Sequence, residues 1–321
     1  MSNRKPPPSS SAKQRAAARS AAARERIRKA QRRRQLLLVG GAVLAIAVIV
    51  GVLVIVKVVT NAGGAKSGEK GTNAPAAITS KIANVPAAVL DQVGAGQTVA
   101  RPLPISAPSL TQNGKPEILY AGAEFCPYCA GERWALAVAL ERFGDLHNLS
   151  VTSSSPTDQP PSLQTLSFHG ASYTSDYLAL TAKELQSNQV VNGTYAPLDK
   201  LTPAEQALVQ KYDARPYVPS SGIPFVDLGG KWVLSGATYD VRVLQGKTRE
   251  QIAAALSDPS SPIAQGVLGA ANALTAAMCT LTGQQPGAVC SSPGVRAAAA
   301  TLGSSAGGTG GASTLSPSAG G

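Results

Sequence analysis

Residues 118–129 read Ile-Leu-Tyr-Ala-Gly-Ala-Glu-Phe-Cys-Pro-Tyr-Cys, an apolar run followed by two cysteines that are two residues apart. The first four residues are typical of a short buried strand, and Leu136, Leu140 and Phe143 recur at the spacing of one helix face. The two sulfur atoms are therefore expected at a strand-to-helix junction, with Pro127 in the first helical turn, where its missing N–H costs nothing. The free N–H groups and the dipole at a helix start favour a thiolate, so this position lowers the pKa of a cysteine.

The spacing of Cys126 and Cys129 predicts a redox-active dithiol. A disulfide between them would close a tight, exposed ring at the helix start, and such a bond is typically labile. Two alternatives stay open: a structural disulfide, and a pair that came with the fold and is no longer used. The residues between the two cysteines do not determine whether the protein oxidises or reduces its substrates.

The charge of the chain is concentrated at its N-terminus. The formal net charge is +11, from 29 basic and 18 acidic residues. Residues 1–35 contain twelve of the basic residues and one acid, Glu25, which leaves 17 residues of each sign in the rest of the chain. The basic tail has no interleaved aromatic residues of the kind that stack on bases. We therefore expect no nucleic-acid partner, and a tail that is attracted to anionic lipid.

An uncharged apolar segment, Leu36–Val56, follows the basic tail directly. As a helix with a rise of about 1.5 Å per residue, it is long enough to cross a hydrocarbon core of roughly 30 Å. The alternative is a cleaved signal peptide, but its apolar run is usually only about 7–15 residues long. Because basic flanks stay on the cytoplasmic side, we expect a single-pass anchor in the cell membrane, with the N-terminus cytoplasmic and the chain after residue 57 outside. That side is oxidising, so disulfides persist there.

Composition divides the chain into five parts, of which one is long enough to bury a core of its own. The predicted parts are a basic cytoplasmic tail at 1–35, a transmembrane helix at 36–56, a flexible linker at 57–84, a folded extracytoplasmic domain at 85–290, and a disordered Ala/Gly/Ser-rich tail at 291–321.

Strand and helix signals alternate inside the folded part, which predicts an α/β fold. Beyond the strand and helix around the two cysteines, the predicted strands are Leu149–Thr152, Leu163–Phe168, Tyr173–Leu180 and a hairpin at 222–235 around Gly229-Gly230. The predicted helices are Thr248–Leu256, Pro262–Leu281 and one helix, capped by Thr202, in an insertion over 182–220.

This order of elements resembles the thioredoxin fold with a helical insertion, as in secreted disulfide oxidoreductases. Ala-Glu-Phe-Cys at 123–126 is similar to the residues that lead into the thioredoxin active site, and Cys-Pro-Tyr-Cys is the glutaredoxin form of the motif. Residues 116–283 also resemble the membrane-anchored proteins grouped as domain of unknown function 929. That likeness is carried by three stretches: Tyr173-Thr174-Ser175, residues 224–231, and Ser261-Pro262-Ile263-Ala264.

The resemblance implies roles for individual residues. Cys126 matches the attacking thiol, Cys129 the thiol that resolves the mixed disulfide, and Pro224 a cis-proline that faces them. A cis bond would leave the neighbouring backbone free to pair with an extended substrate, whereas without it Pro224 would be an edge-strand or turn residue. The residues that the resemblance places beside the substrate are Pro127, Tyr128 and Ile223.

The chain departs from the thioredoxin pattern at Tyr120. Thioredoxins have a buried carboxylate six residues before the first cysteine, as a proton acceptor for the resolving thiol; this chain has a tyrosine there, and the nearest acids are Glu117 and Glu124. The departure argues against fast reductase chemistry of the thioredoxin kind. Glu132 and Arg133, on the helix of the dithiol, are predicted to face solvent, with Arg133 in a position to steer substrates.

Cys279 and Cys290 are predicted to form a structural disulfide across a Gly/Pro-containing loop. For a loop of this size the chain-entropy estimate of the stabilisation is roughly 3 kcal/mol. The alternatives are a redox relay with the first pair and a zinc site that uses all four thiols; the spacing is not that of paired zinc knuckles, so no metal site is predicted. His147 and His169 are expected at the surface.

The predicted function is that of a membrane-anchored, extracytoplasmic thiol–disulfide oxidoreductase that acts on protein thiols or disulfides through Cys126 and Cys129. No cofactor is expected, and a membrane redox partner that recycles the dithiol is expected by analogy alone. Two alternatives remain: a thioredoxin-fold binding module without turnover, and a structural protein of the envelope.

Overall fold

The computed structural model describes residues 65–302. The predicted basic tail, the predicted transmembrane segment 36–56, the first part of the linker and residues 303–321 lie outside the described residues.

Short strands and helices alternate through the described residues. The strands are β1 (Thr72–Asn73), β2 (Leu103–Pro104), β3 (Thr111–Gln112), β4 (Lys115–Gly122), β5 (Gly144–His147), β6 (Ser150–Ser153), β7 (Gln164–Ser167), β8 (Ser172–Ser175), β9 (Ala179–Glu184), β10 (Gln186–Val191), β11 (Thr194–Pro197), β12 (Phe225–Leu228) and β13 (Trp232–Ser235). The helices are α1 (Ala76–Ala83), α2 (Ala87–Val93), α3 (Pro127–Leu140), α4 (Pro203–Tyr212), α5 (Arg249–Ala255), α6 (Pro262–Leu281), α7 (Gly287–Cys290) and α8 (Pro293–Ala299), with a 3-10 helix at Val241–Leu244.

A mixed sheet with β4 inside it organises this α/β fold. β4 is antiparallel to β12 on one side and parallel to β9 on the other, so that Tyr120 stands opposite both Val226 and Ala182. β13 and β2 continue the sheet beyond β12, and β3 forms a hairpin with the first residues of β4. The strand that leads to the dithiol is therefore held on both sides along most of its length.

α3 packs against α6 and β7, in the middle of the main core, which also contains Ile118 and Tyr120 of β4. Every residue of α3 except Tyr128 is buried. α6 is the one helix in the described part of the chain that is long and apolar enough to cross a membrane, and 89% of its most apolar window is buried inside the protein. On the opposite face of the sheet, a smaller cluster joins Phe225 and Val233 to Tyr212 of α4.

The structure gives the pairing of the strands, which the sequence analysis predicts only for the hairpin around Gly229-Gly230. The Leu149–Thr152 segment forms β6, which pairs with β1 and β7 in a separate sheet. The parallel partner of β4 is β9, and the segment predicted as one strand at Tyr173–Leu180 is divided between β8 and β9. A parallel strand needs a crossover of about a dozen residues or more, and hydrophobic periodicity does not show which later strand completes the pair.

The predicted linker is folded in its second half. Residues 76–83 form α1, in which Ile78 and Ile82 are each 1% exposed. Because these two side chains join the main core, the folded domain begins before residue 85. With two large apolar residues among small ones, the segment has too weak a pattern for a confident sequence assignment.

The first residues of the predicted disordered tail are also folded. α8 lies within 291–321 and packs against α6, with Val295 and Ala298 almost without exposure. The insertion over 182–220 contains the predicted helix, α4, whose Thr202 and Glu205 form a capping box. It also contains the end of β9 and the hairpin of β10 and β11, which the sequence analysis does not predict.

Candidate active site

The two free thiols lie at the start of α3. Cys126 is the N-cap residue, and its backbone is extended (ψ 124°), as expected for a residue that precedes a proline. Its Sγ accepts a hydrogen bond from the backbone N–H of Cys129 at 3.3 Å. The sulfur of Cys126 therefore occupies the place at which a helix start stabilises negative charge.

The two thiols have opposite electrostatic environments. The hydrogen bond from the Cys129 thiol lowers the pKa of Cys126; burial raises it, and the Cys129 N–H and the charge of Arg133 lower it further, with a lower pKa as the net result. The pKa of Cys129 is raised well above its usual range, first by burial and then by its hydrogen bond to Cys126. Cys126 is therefore the first of the two to ionise.

The exposure of the dithiol differs from the sequence prediction of an exposed ring. Cys126 is 5% exposed and Cys129 is fully buried. The cover is the loop before β12, where the carbonyl oxygen of Ile223 accepts a hydrogen bond from Cys126 Sγ at 3.6 Å. The Ile223–Pro224 bond in this loop is cis, the geometry that the resemblance implies.

A cavity of about 750 Å³ lies beside the dithiol motif. Tyr128 and Ile223, two of the three predicted substrate contacts, line it, and Tyr128 is 50% exposed. Pro127, the third, is buried in the first turn of α3 and does not line the cavity. Within the dithiol motif, Pro127 therefore contributes to the helix start and Tyr128 lines the cavity.

The prediction that Arg133 faces solvent is wrong, because the side chain is fully buried. Its Nε and Nη2 bind the two carboxylate oxygens of Glu184 at 2.7 and 2.8 Å, and Nη2 also donates to the carbonyl oxygen of Ala123 at 2.6 Å. The ion pair thus joins α3 to the end of β9 and to the loop that leads to Cys126. Glu184 is 51 residues away in sequence, so no local pattern predicts this pair.

Glu132 is also fully buried, contrary to the sequence prediction. Its Oε2 accepts hydrogen bonds from the backbone N–H and from the hydroxyl of Thr238 at 2.9 and 2.7 Å. Its Oε1 has no hydrogen-bond partner among the described residues. Burial raises the pKa of Glu132 to about 7, although the two hydrogen bonds lower it. Glu132 is thus a buried carboxyl group with a raised pKa, one helical turn after Cys129.

Tyr120 occupies the position at which the thioredoxin resemblance places a carboxylate. The side chain is fully buried, with its ring edge against Phe168 at 5.2 Å between centroids. Burial raises the pKa of Tyr120 well above its usual range, so the phenol stays neutral. Tyr120 therefore does not replace a carboxylate as a base at neutral pH.

The profile of a protein family described as Domain of unknown function (DUF929) matches residues 101–280, which is more than half of the chain. The protein belongs to the DUF929 family. The match includes the dithiol, the cis-proline loop, Glu132 and the Arg133–Glu184 pair. Comparison with curated proteins and with solved structures found no match.

The DUF929 domain has an aromatic stack directly before the dithiol, which the sequence analysis missed. The ring of Phe125 stacks on Tyr195 of β11, with 4.2 Å between centroids and 2° between the ring planes. The Tyr195 hydroxyl donates to Ser155 Oγ at 2.6 Å. The hairpin of β10 and β11 thereby fixes the residue that precedes Cys126.

Cys279 and Cys290 form the predicted disulfide, with their Cα atoms 5.7 Å apart. It joins the end of α6 to α7, which lies just beyond the residues that match the family. His169 is exposed and its Nδ1 lies 2.9 Å from Asp199 Oδ1. The part of the chain that the structure describes contains no cluster of His, Cys, Asp and Glu residues that could hold a metal ion.

Proposed function

We propose that the protein is a thiol–disulfide oxidoreductase with a thioredoxin-like core, anchored in the cell membrane by residues 36–56 and acting outside the cytoplasm on protein thiols or disulfides. The observation that carries the proposal is the position of the Cys126 sulfur at the helix start, together with its lowered pKa. Its sulfur caps α3, accepts the Cys129 N–H and has a lowered pKa, while Cys129 beneath it keeps its proton. A nucleophilic thiolate beside a protonated second thiol is the arrangement that disulfide exchange requires.

The sheet supports the thioredoxin-like core. β4 leads into the dithiol helix, β9 is its parallel partner, and the antiparallel hairpin of β12 and β13 follows on the other side. The cis-proline stands at the start of β12, so that its loop meets Cys126. This order of elements is the one that the thioredoxin resemblance implies.

The reaction consists of two exchanges. The Cys126 thiolate attacks a substrate disulfide, whose S–S bond breaks; one substrate sulfur leaves as a thiol and the other forms a mixed disulfide with Cys126. Cys129 then attacks the Cys126 sulfur, which releases the second substrate thiol and leaves a Cys126–Cys129 disulfide. Two electrons pass to the substrate, and the reverse sequence oxidises two substrate thiols.

The cavity and the disulfide support the remaining parts of the proposal. The cavity beside Tyr128 and Ile223 has room for side chains that flank a substrate cysteine. The Cys279–Cys290 disulfide is typical of proteins outside the cytoplasm. The anchor and a membrane redox partner remain proposals from the sequence.

A trapping experiment tests the function. Cys129→Ser in the full chain should accumulate mixed disulfides with other proteins, visible as reducible bands on a non-reducing gel, and Cys126→Ser should not. A binding module without turnover would give no such bands with either variant. The reduction potential of the dithiol then gives the direction, since a value near roughly −270 mV indicates a reductase and one near roughly −120 mV an oxidase.

A further inference from the structure

The resolving thiol has no direct route for its proton to solvent. Cys129 is fully buried, and its pKa is raised by that burial and by its hydrogen bond to Cys126. Only a thiolate attacks a disulfide efficiently. If the proposed function holds, a group inside the protein must therefore take this proton when Cys129 resolves a mixed disulfide.

Three buried acids in this region are candidates: Glu124, Glu132 and Glu184. Both oxygens of Glu184 bind Arg133, and one of them also accepts the N–H of Phe168. The two oxygens of Glu124 accept hydrogen bonds from the Ser167 hydroxyl and from the Asn188 N–H. Only Glu132 keeps one oxygen without a partner among the described residues.

Glu132 also has the right place on the helix. Residues three and four apart are neighbours on a helix surface, so Cys129 lies between Glu132 and Arg133. Arg133 extends to Glu184 on β9, and Glu132 extends to Thr238 beyond β13. The charge of Arg133 acts on the Cys129 thiol, and the helix spacing places Glu132, with its free oxygen, on the other side of Cys129.

We propose that Glu132 accepts the proton of Cys129 during resolution and returns it in the reverse reaction. In the forward step the S–H bond of Cys129 breaks, its proton passes to a Glu132 oxygen directly or through one water, and the S–S bond between Cys126 and Cys129 forms. The departing substrate thiolate takes a proton from solvent. In the reverse step Cys129 leaves as a thiolate and regains its proton from Glu132.

The pKa of Glu132 allows it both to accept the proton of Cys129 and to return it. Its pKa of about 7 means that the carboxylate and the acid are both present near neutral pH, the condition under which acid–base transfer is most effective. The other titratable or charged groups near Cys129 or Glu132 are Cys126 and Arg133 on α3, Tyr120 on β4, Glu184 on β9 and Tyr239 after β13. The 3-10 helix, which packs against α3, carries the exposed Arg242. Asp145 and His147 lie beside Glu141, at the far end of α3.

The test separates the two exchanges with Ellman's reagent on the reduced full chain. Attack by Cys126 releases one thionitrobenzoate, and resolution by Cys129 releases a second in a first-order phase. For Glu132→Gln we expect an unchanged first phase and a second phase slower by about 100-fold at pH 7, the usual size of an acid–base contribution. The difference should close at high pH, where Cys129 ionises unaided.

Asp227→Asn is the matched control. Asp227 is also fully buried, with a pKa raised by burial to about 6 and one oxygen without a partner among the described residues. It stands opposite Leu119, the neighbour of Tyr120, and so projects from the other face of the sheet. Its second phase should match the wild type. The inference is overturned if Glu132→Gln resolves within threefold of the wild type across pH, or if Asp227→Asn is slowed equally.

A second variant, Thr238→Val, tests the inference if Glu132→Gln fails to fold. Thr238→Val removes a hydroxyl that donates to the Glu132 carboxylate. The loss raises the pKa of Glu132 and should move the midpoint of the second phase upward by about one pH unit. An unchanged midpoint contradicts the inference, because a structural role of Glu132 predicts no shift. A wild type that releases no second thionitrobenzoate contradicts the proposed function itself.

Discussion

Replacing Arg133 by methionine should destabilise the protein strongly. The variant removes three hydrogen bonds of 2.6 to 2.8 Å and leaves Glu184 as an unpaired charge that is fully buried. Breaking a buried ion pair by removal of one partner costs about 3–5 kcal/mol. For a domain of this size that corresponds to a fall in Tm on the order of 10 °C. Thermal unfolding of the full chain, followed by circular dichroism, measures the fall.

Two further variants identify the cause of the loss. Arg133→Met combined with Glu184→Met removes both charges and should recover at least half of the lost stability, because apolar replacement of a whole buried pair is often nearly neutral. Arg242→Met removes an ion pair of similar geometry with Asp240 whose arginine is 74% exposed, and it should leave Tm unchanged. The reasoning fails if Arg133→Met behaves like Arg242→Met, or if the double variant is no more stable than the single one.

Three other predictions concern the disulfide, the insertion and the cavity. Replacing Cys279 and Cys290 together by serine should lower the free energy of unfolding by roughly 3 kcal/mol, and an unchanged unfolding midpoint would count against a stabilising disulfide. Thr202→Ala removes half of a capping box and should cost α4 about 1 kcal/mol, measured as faster amide hydrogen exchange confined to Pro203–Tyr212. Tyr128→Ser should slow exchange with protein disulfides while the reaction of Cys126 with Ellman's reagent keeps its rate; equal slowing of both would remove the cavity from substrate binding.

Local signals predicted several elements correctly because each is specified within a few residues. The Cys-Pro-Tyr-Cys helix start, the hairpin around Gly229-Gly230 and the Thr202 cap depend on proline, glycine and capping residues at fixed spacings. The disulfide followed from the number and spacing of the remaining cysteines. These features need no knowledge of what packs around them.

The partners of β4 and the burial of α3 were not predictable in this way. β9 follows β4 by more than 50 residues, and its apolar pattern does not distinguish it from the strands in between as the partner of β4. Glu132 and Arg133 resemble a solvated helix face until Thr238 and Glu184 supply their partners from distant segments. The features of the candidate site that tune its chemistry are therefore the ones that tertiary contacts create.

The most direct test of the account is the pH dependence of Cys126 alkylation by iodoacetamide in the reduced full chain, with the modified residue identified by mass spectrometry. Because the pKa of Cys126 is lowered, the rate should rise through a midpoint below about 8.5, the value of free cysteine, while Cys129 stays unmodified. A midpoint at or above that of free cysteine, or a Cys126 that reacts only after unfolding, would contradict the account.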